Sequence, residues 1–146
     1  MNLPPPSPAS PKKRILVVDD DCATATTVAT ALQFLGQYEV DAVTDPHEAN
    51  TLAAERNYDL LIADFNMPDM NGDQLFRDIL CRYVENPPTK ALTADERPRL
   101  LMISGEPNCP KFESGPEKFF INNFLPKPFT ISALAAKVEK IMAEKF

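Results

Sequence analysis

Four short apolar runs each end on polar residues, and this repeated ending constrains the fold more than any other feature of the chain. Ile15-Leu16-Val17-Val18 runs into Asp19-Asp20-Asp21, and Leu60-Leu61-Ile62-Ala63 runs into Asp64. Leu100-Leu101-Met102-Ile103 runs into Ser104, and Phe124-Leu125-Pro126 runs into Lys127. Runs that are apolar throughout read as strands buried on both faces, as in a parallel sheet covered by helices on each side. In an open sheet of that kind the functional crevice lies outside the carboxyl ends of the strands. The polar endings are therefore expected to meet at one place. Acids gathered with one lysine and one hydroxyl suit Mg²⁺ and a phosphoryl group.

The stretches between these runs carry helical signals. Val28, Leu32 and Leu35 mark one face of a first helix, and Gly36 ends it. Residues 38–43 alternate apolar and polar, which predicts a half-exposed edge strand. Asp45-Pro46-His47-Glu48 reads as a helix start, with Asp45 as N-cap, Pro46 at the first helical position and Glu48 closing a capping box. Gly72 and Asp73 lead into a helix with Leu75, Phe76, Ile79, Leu80 and Tyr83 on its inner side. Thr130 caps a last helix that carries Ile131, Leu134, Val138 and Ile141 inward. Two stretches break the regularity. Residues 84–98 contain Pro87, Pro88 and Pro98 and are long for a helix-to-strand connection. Residues 106–122 hold Pro107, Pro110, Gly115 and Pro116, which predicts an irregular or shortened fourth helix.

A length of 146 residues allows one ordinary domain, and 44% hydrophobic residues supply its core. Residues 1–11 include five prolines and read as a disordered arm, leaving 12–146 as the domain. A formal net charge of −6 argues against nucleic acid as a direct ligand. The apolar runs are too short for a membrane span, and the first residues lack the apolar stretch of a signal peptide. Cys22, Cys81 and Cys109 have no metal-type spacing and read as reduced thiols in a cytoplasmic protein.

Over residues 14–145 the chain resembles the response-regulator receiver domains of two-component signalling, the CheY-like superfamily. The motifs are Val17-Val18-Asp19-Asp20-Asp21, then Asp64-Phe65-Asn66-Met67-Pro68-Asp69-Met70-Asn71-Gly72, then Ile103-Ser104-Gly105, then Phe124-Leu125-Pro126-Lys127-Pro128-Phe129. Each closes a strand read from the pattern, and they occur in the family's order. The resemblance implies a doubly wound α/β fold with a five-stranded parallel sheet in the flavodoxin-like order 2-1-3-4-5.

It also implies the chemistry. Asp64 would be the phosphoacceptor, a carboxylate nucleophile toward phosphorus. Asp20 and Asp64 would bind Mg²⁺ directly, with the backbone carbonyl of Asn66 as a third ligand and Asp19 acting through water. Lys127 would pair with a phosphoryl oxygen. Ser104 would donate to the phosphoryl group, with Phe124 as the aromatic that follows it inward. Phe124 departs from members carrying tyrosine there, and it also reads as a core residue. Asn66 and Glu106, two residues beyond Asp64 and Ser104, would tune dephosphorylation. Asp21 reads as the N-cap of the first helix. His47 belongs to a capping sequence, so the donor histidine comes from another protein, a histidine kinase or a histidine phosphotransfer protein. The downstream partner is a protein that the sequence does not identify.

Two other classes use similar residues. A haloacid-dehalogenase-type, Mg²⁺-dependent phosphohydrolase needs a second acid two residues after its nucleophile. Asn66 stands there, and no large cap segment is present. A phosphorylation-independent pseudo-receiver usually lacks the acceptor or the metal acids, and this chain has them. The reading is a signalling switch, catalytic only in its own phosphorylation and dephosphorylation.

Overall fold

The structure, a computed structural model, describes residues 12–65, 67, 70, 72–85, 99–105 and 124–143. The proline-rich arm at 1–11, the irregular stretches around 86–98 and 106–122, Asn66 and Glu106 lie outside the described residues. So do Cys109 and the side chains of Leu80, Cys81 and Tyr83.

The apolar runs form strands. In chain order the elements are β1 (Lys13–Val18), α1 (Cys22–Phe34), β2 (Tyr38–Val43), α2 (Pro46–Glu55), β3 (Leu60–Asp64), α3 (Gly72–Glu85), β4 (Arg99–Ser104), β5 (Phe124–Pro126) and α4 (Ile131–Ala143). They pair in parallel as one five-stranded sheet, in the order β2-β1-β3-β4-β5 that the resemblance implies. The fourth described helix, α4, is thus the one that follows β5. The irregular helix expected between β4 and β5 falls among the residues not described.

Alternate side chains leave a strand on opposite faces, and this divides the core in two. Ile15, Val17, Leu60, Ile62, Leu101, Ile103 and Leu125 pack under α1 and α4, against Val28, Leu32, Leu134 and Val138. Leu16, Val18, Leu61, Ala63, Leu100 and Met102 pack under α2 and α3, against Ala49, Ala53, Leu75, Phe76 and Ile79. Truncating a fully buried member such as Leu101 removes about 2–5 kcal/mol of stability.

The helix ends explain the entry angles. Asp21 caps α1 by accepting the Ala23 N–H at 3.1 Å and the Thr24 hydroxyl at 2.8 Å. These bonds, Thr24's foremost, favour the ionised carboxylate and hold it below its ordinary value. Asp45 caps α2 through the His47 N–H at 2.9 Å, with Pro46 in the first turn. Glu48 lies exposed in that turn, and among the described residues it makes no bond that closes a capping box. Thr130 caps α4 by accepting the Ala133 N–H at 3.0 Å.

Two expected core residues are corrected. Leu35 is the C-cap of α1 and is exposed, because the chain turns away there into Gly36 at φ 77°. Ile131 is exposed as the first residue of α4, since only the turns from Leu134 onward reach the sheet.

At the opposite end of the sheet from the polar strand endings, Tyr58 is buried and donates its hydroxyl to Asp41 at 2.6 Å. The Arg56 guanidinium donates to the same carboxylate oxygen at 2.9 Å. Burial, then the Asp41 bond and charge, push the Tyr58 phenol well above its ordinary value.

Candidate functional site

The faces that divide the core also assemble the site. Asp19 follows Val17 by two residues, Asp64 follows Ile62 by two, and Lys127 follows Leu125 by two. All three continue the sheet face that packs under α1 and α4. The sheet register then brings them together. Val18 stands beside Ala63, Asp64 beside Ile103, and Ile103 beside Leu125. Main-chain bonds continue the ladder past the strand ends, from the Phe65 N–H to Ile103 and from the Lys127 N–H to Ser104, each at 2.8 Å. The Lys127–Pro128 peptide is cis.

Lys127 Nζ donates to Asp19 Oδ2 at 2.9 Å and to Asp64 Oδ2 at 3.3 Å. Both carboxylates are buried, with side chains 3% and 8% exposed, so little solvent weakens these bonds. Burial of the ammonium opposes its charge. The hydrogen bond to Asp19 and the attraction of both carboxylates outweigh that and hold the lysine above its ordinary value. The other Asp19 oxygen accepts the Asp21 N–H at 2.9 Å. Asp19 is therefore fixed at both oxygens before any ligand arrives.

Asp20 completes the cluster. Ligand atoms of Asp19, Asp20 and Asp64 all lie within 4.8 Å of one another, and Asp20 is the exposed member. One ammonium faces three carboxylates, which leaves negative charge for a cation to balance. The set is all oxygen, and it combines buried with exposed members. That suits Mg²⁺, which prefers oxygen ligands and keeps several waters.

Ser104 and Phe124 lie on the other face. Ser104 is buried at the end of β4, on the side of Met102. Phe124 pairs with Met102 across β4 and β5 and packs, half-buried, against the α2–α3 core. The two expected switch residues thus share one face of the sheet, while the charged residues share the opposite one. His47 is exposed at the start of α2, as its capping sequence predicts.

Three features went unread in the sequence. The Asp21 N–H orients Asp19, although Asp21 itself reads only as a cap. An apolar groove opens beside Lys127, lined by Thr24, Thr27, Val28, Pro128 and Phe129 from α1 and the loop after β5. Gly72 presses against the main chain of Asp64. The first had a local signal in the cap pattern. The others depend on contacts between segments far apart in the chain.

The chain belongs to the response regulator receiver domain family, whose model matches residues 15–139. It is 32% identical over 131 residues to the regulatory protein VanRB of Enterococcus faecalis, covering 88% of this chain and 52% of that protein. It is 30% identical over 131 residues to the chemotaxis protein CheY of Pseudomonas aeruginosa, covering 88% of this chain and 94% of CheY. The chain thus spans about half the length of VanRB and nearly all of CheY. Among solved structures, CheY4 of Vibrio cholerae matches with a TM-score of 0.67 at 26% identity, over 90% of this chain and 99% of that one. The response regulator TrrA of Thermotoga maritima, solved in complex with Mg²⁺ and BeF, matches with a TM-score of 0.66 at 26% identity, over 88% of this chain and 98% of that one. Among the described residues no helix is long and apolar enough to cross a membrane.

Proposed function

We propose that Asp64 accepts a phosphoryl group from a histidine kinase or a histidine phosphotransfer protein, with Mg²⁺, and that the domain then switches conformation to signal to a protein partner. The supporting observation is the placement of Asp64. Its carboxylate sits in one cluster with Asp19 and Asp20, with the Lys127 ammonium 3.3 Å away. A carboxylate oxygen of Asp64 attacks phosphorus as the bond from phosphorus to the donor's imidazole nitrogen breaks.

Asp20 and Asp64 are the direct metal ligands in this reading, joined by the Asn66 carbonyl, with Asp19 acting through water. Mg²⁺ held by these residues would neutralise charge on the phosphoryl oxygens. Lys127, already held above its ordinary value, stays charged and pairs with a phosphoryl oxygen. Ser104 donates its hydroxyl to the phosphoryl group, and Phe124, on the same sheet face, moves with it. Asn66 and Glu106 set the rate of hydrolysis. Catalysis is confined to the domain's own phosphorylation and dephosphorylation. A cytoplasmic location belongs to the same reading.

Incubation of the wild type and Asp64→Asn with acetyl phosphate and Mg²⁺, followed by intact-protein mass, tests the reading. Phosphate adds to the wild type alone. Equal addition to both removes Asp64 from the role.

A further inference from the structure

Asp64 is held from both faces of the sheet, and only one of the two holds is electrostatic. On the α1–α4 face its carboxylate meets Lys127. On the α3 face its main-chain carbonyl meets Gly72, the first residue of α3. A Cβ at Gly72 would lie 2.6 Å from the Asp64 carbonyl oxygen, 3.2 Å from its carbonyl carbon and 3.0 Å from Met102 Sδ. The first distance is shorter than any packed carbon tolerates, and its partner is backbone in the fully buried β3, which cannot swing aside.

Space, not backbone conformation, is what this glycine supplies. Gly36 is the described glycine with positive φ, and a Cβ there meets nothing within 4 Å. A Cβ at Gly105 comes no nearer than 4.0 Å to the Lys127 side chain. Gly72 alone among these has a backbone open to any residue and no room for one. It also donates its N–H to the Phe65 carbonyl at 3.1 Å, which draws the start of α3 back onto the end of β3.

We infer that Gly72 is a positioning residue for the phosphoacceptor: its bare Cα lets α3 seat on the Asp64 carbonyl and so sets where the carboxylate stands relative to Asp19, Asp20 and Lys127. The inference rests on the reading of Asp64 as phosphoacceptor. A shift of the Asp64 main chain moves its carboxylate out of a cluster whose ligand atoms lie within 4.8 Å of one another. Residues that orient metal ligands without touching the metal typically change affinity by about 10- to 100-fold when replaced.

The test compares wild type, Gly72→Ala, Met102→Ala and the double variant. Three quantities are read: the Mg²⁺ dissociation constant of the folded protein, the initial rate of phosphorylation by acetyl phosphate, and the urea midpoint without Mg²⁺. Gly72→Ala is expected to weaken Mg²⁺ binding about 10-fold or more, with a parallel loss in rate. The double variant keeps that defect relative to Met102→Ala, because removing the sulfur leaves the carbonyl contact in place. Alanine is the better helix residue, so a Gly72 of no steric consequence leaves Mg²⁺ affinity and rate at wild-type values with the urea midpoint unchanged or raised, which overturns the inference. A lowered urea midpoint with unchanged Mg²⁺ affinity overturns it as well, since the role is then structural only. Recovery of affinity in the double variant assigns the effect to Met102 packing and also overturns it. Should Gly72→Ala alone not fold, the double variant measured against Met102→Ala decides. Failure of both Gly72→Ala and the double variant to fold overturns the inference too, since the glycine then serves the fold and not the site. A wild type that neither binds Mg²⁺ nor takes phosphate overturns the phosphoacceptor reading itself, an outcome distinct from these.

Discussion

Lys127 gives its shorter bond to Asp19, at 2.9 Å, so the cation of the site is anchored on a residue other than the proposed nucleophile. Asp64, at 3.3 Å, is the looser partner. Asp19 in turn is tied to the start of α1 by the Asp21 N–H. The lysine therefore compensates two buried charges, with its shorter bond on the acid that is not the proposed nucleophile.

Removing that cation has a predictable cost. Lys127→Met leaves Asp19 and Asp64 buried without their counter-charge, which destabilises the metal-free protein by about 3 kcal/mol. Mg²⁺ restores part of the loss, because a cation held by the same acids replaces the missing charge. Urea unfolding with EDTA and with saturating Mg²⁺ measures both. An equal loss under the two conditions contradicts the account.

The two leading acids are expected to differ. Asp20 is exposed and makes no hydrogen bond among the described residues, so its carboxylate is free to ligate and contributes repulsion when no metal is bound. Asp20→Asn should weaken Mg²⁺ binding more than Asp19→Asn, and should leave the metal-free protein as stable or more stable. Asp19→Asn should destabilise it, since the Lys127 and Asp21 bonds both end on that carboxylate. Mg²⁺ titrations and urea midpoints of the two variants decide. A lower midpoint for Asp20→Asn than for Asp19→Asn sinks the distinction.

Asp64 makes its own prediction about charge. Asp64→Asn should abolish phosphate uptake while retaining a folded domain, because an amide fills the same space and can still accept a bond from Lys127. The unfolding free energy from urea titration without Mg²⁺ should change by only about 1 kcal/mol, as relief of repulsion offsets the weaker bond. Complete unfolding of this variant counts against that balance.

The end of the sheet away from the site predicts an alkaline effect. The Tyr58 phenol is raised in the folded protein, so the fold binds its proton more tightly than the unfolded chain does. That contribution is complete below the unfolded phenol's value of about 10 and is lost as pH rises from there through the folded value. Tyr58→Phe should lower stability by about 1–2 kcal/mol at neutral pH, from loss of the 2.6 Å bond to Asp41. The gap between variant and wild type should narrow above pH of about 10. Unfolding midpoints across neutral and alkaline pH test this, and a gap that widens with pH reverses the sign of the argument.

Much of this molecule was legible in its sequence. The buried strands, the Asp21, Asp45 and Thr130 caps and the acids at the strand ends are local facts. Apolar runs, helix spacing and capping residues act over a few neighbours, so their signals survive without knowledge of the fold. The candidate site residues were visible too, because each stands at the end of such a run. Leu35 and Ile131 mark the limit of that reading: periodicity assigned them to the core, and only the lengths over which α1 and α4 touch the sheet put them in solvent.

The sequence by itself determined which residues end the strands: acids, a hydroxyl and a lysine. The tertiary structure decided how they are shared out. Parallel pairing in the order β2-β1-β3-β4-β5, with its particular register, sends Asp19, Asp64 and Lys127 to one face and Ser104 and Phe124 to the other. It also decided that Gly72 meets a carbonyl where a side chain has no room. The reason is physical: alternation along a strand is set locally, but which strand stands beside which, and which helix closes over the end, depends on packing between segments distant in the chain.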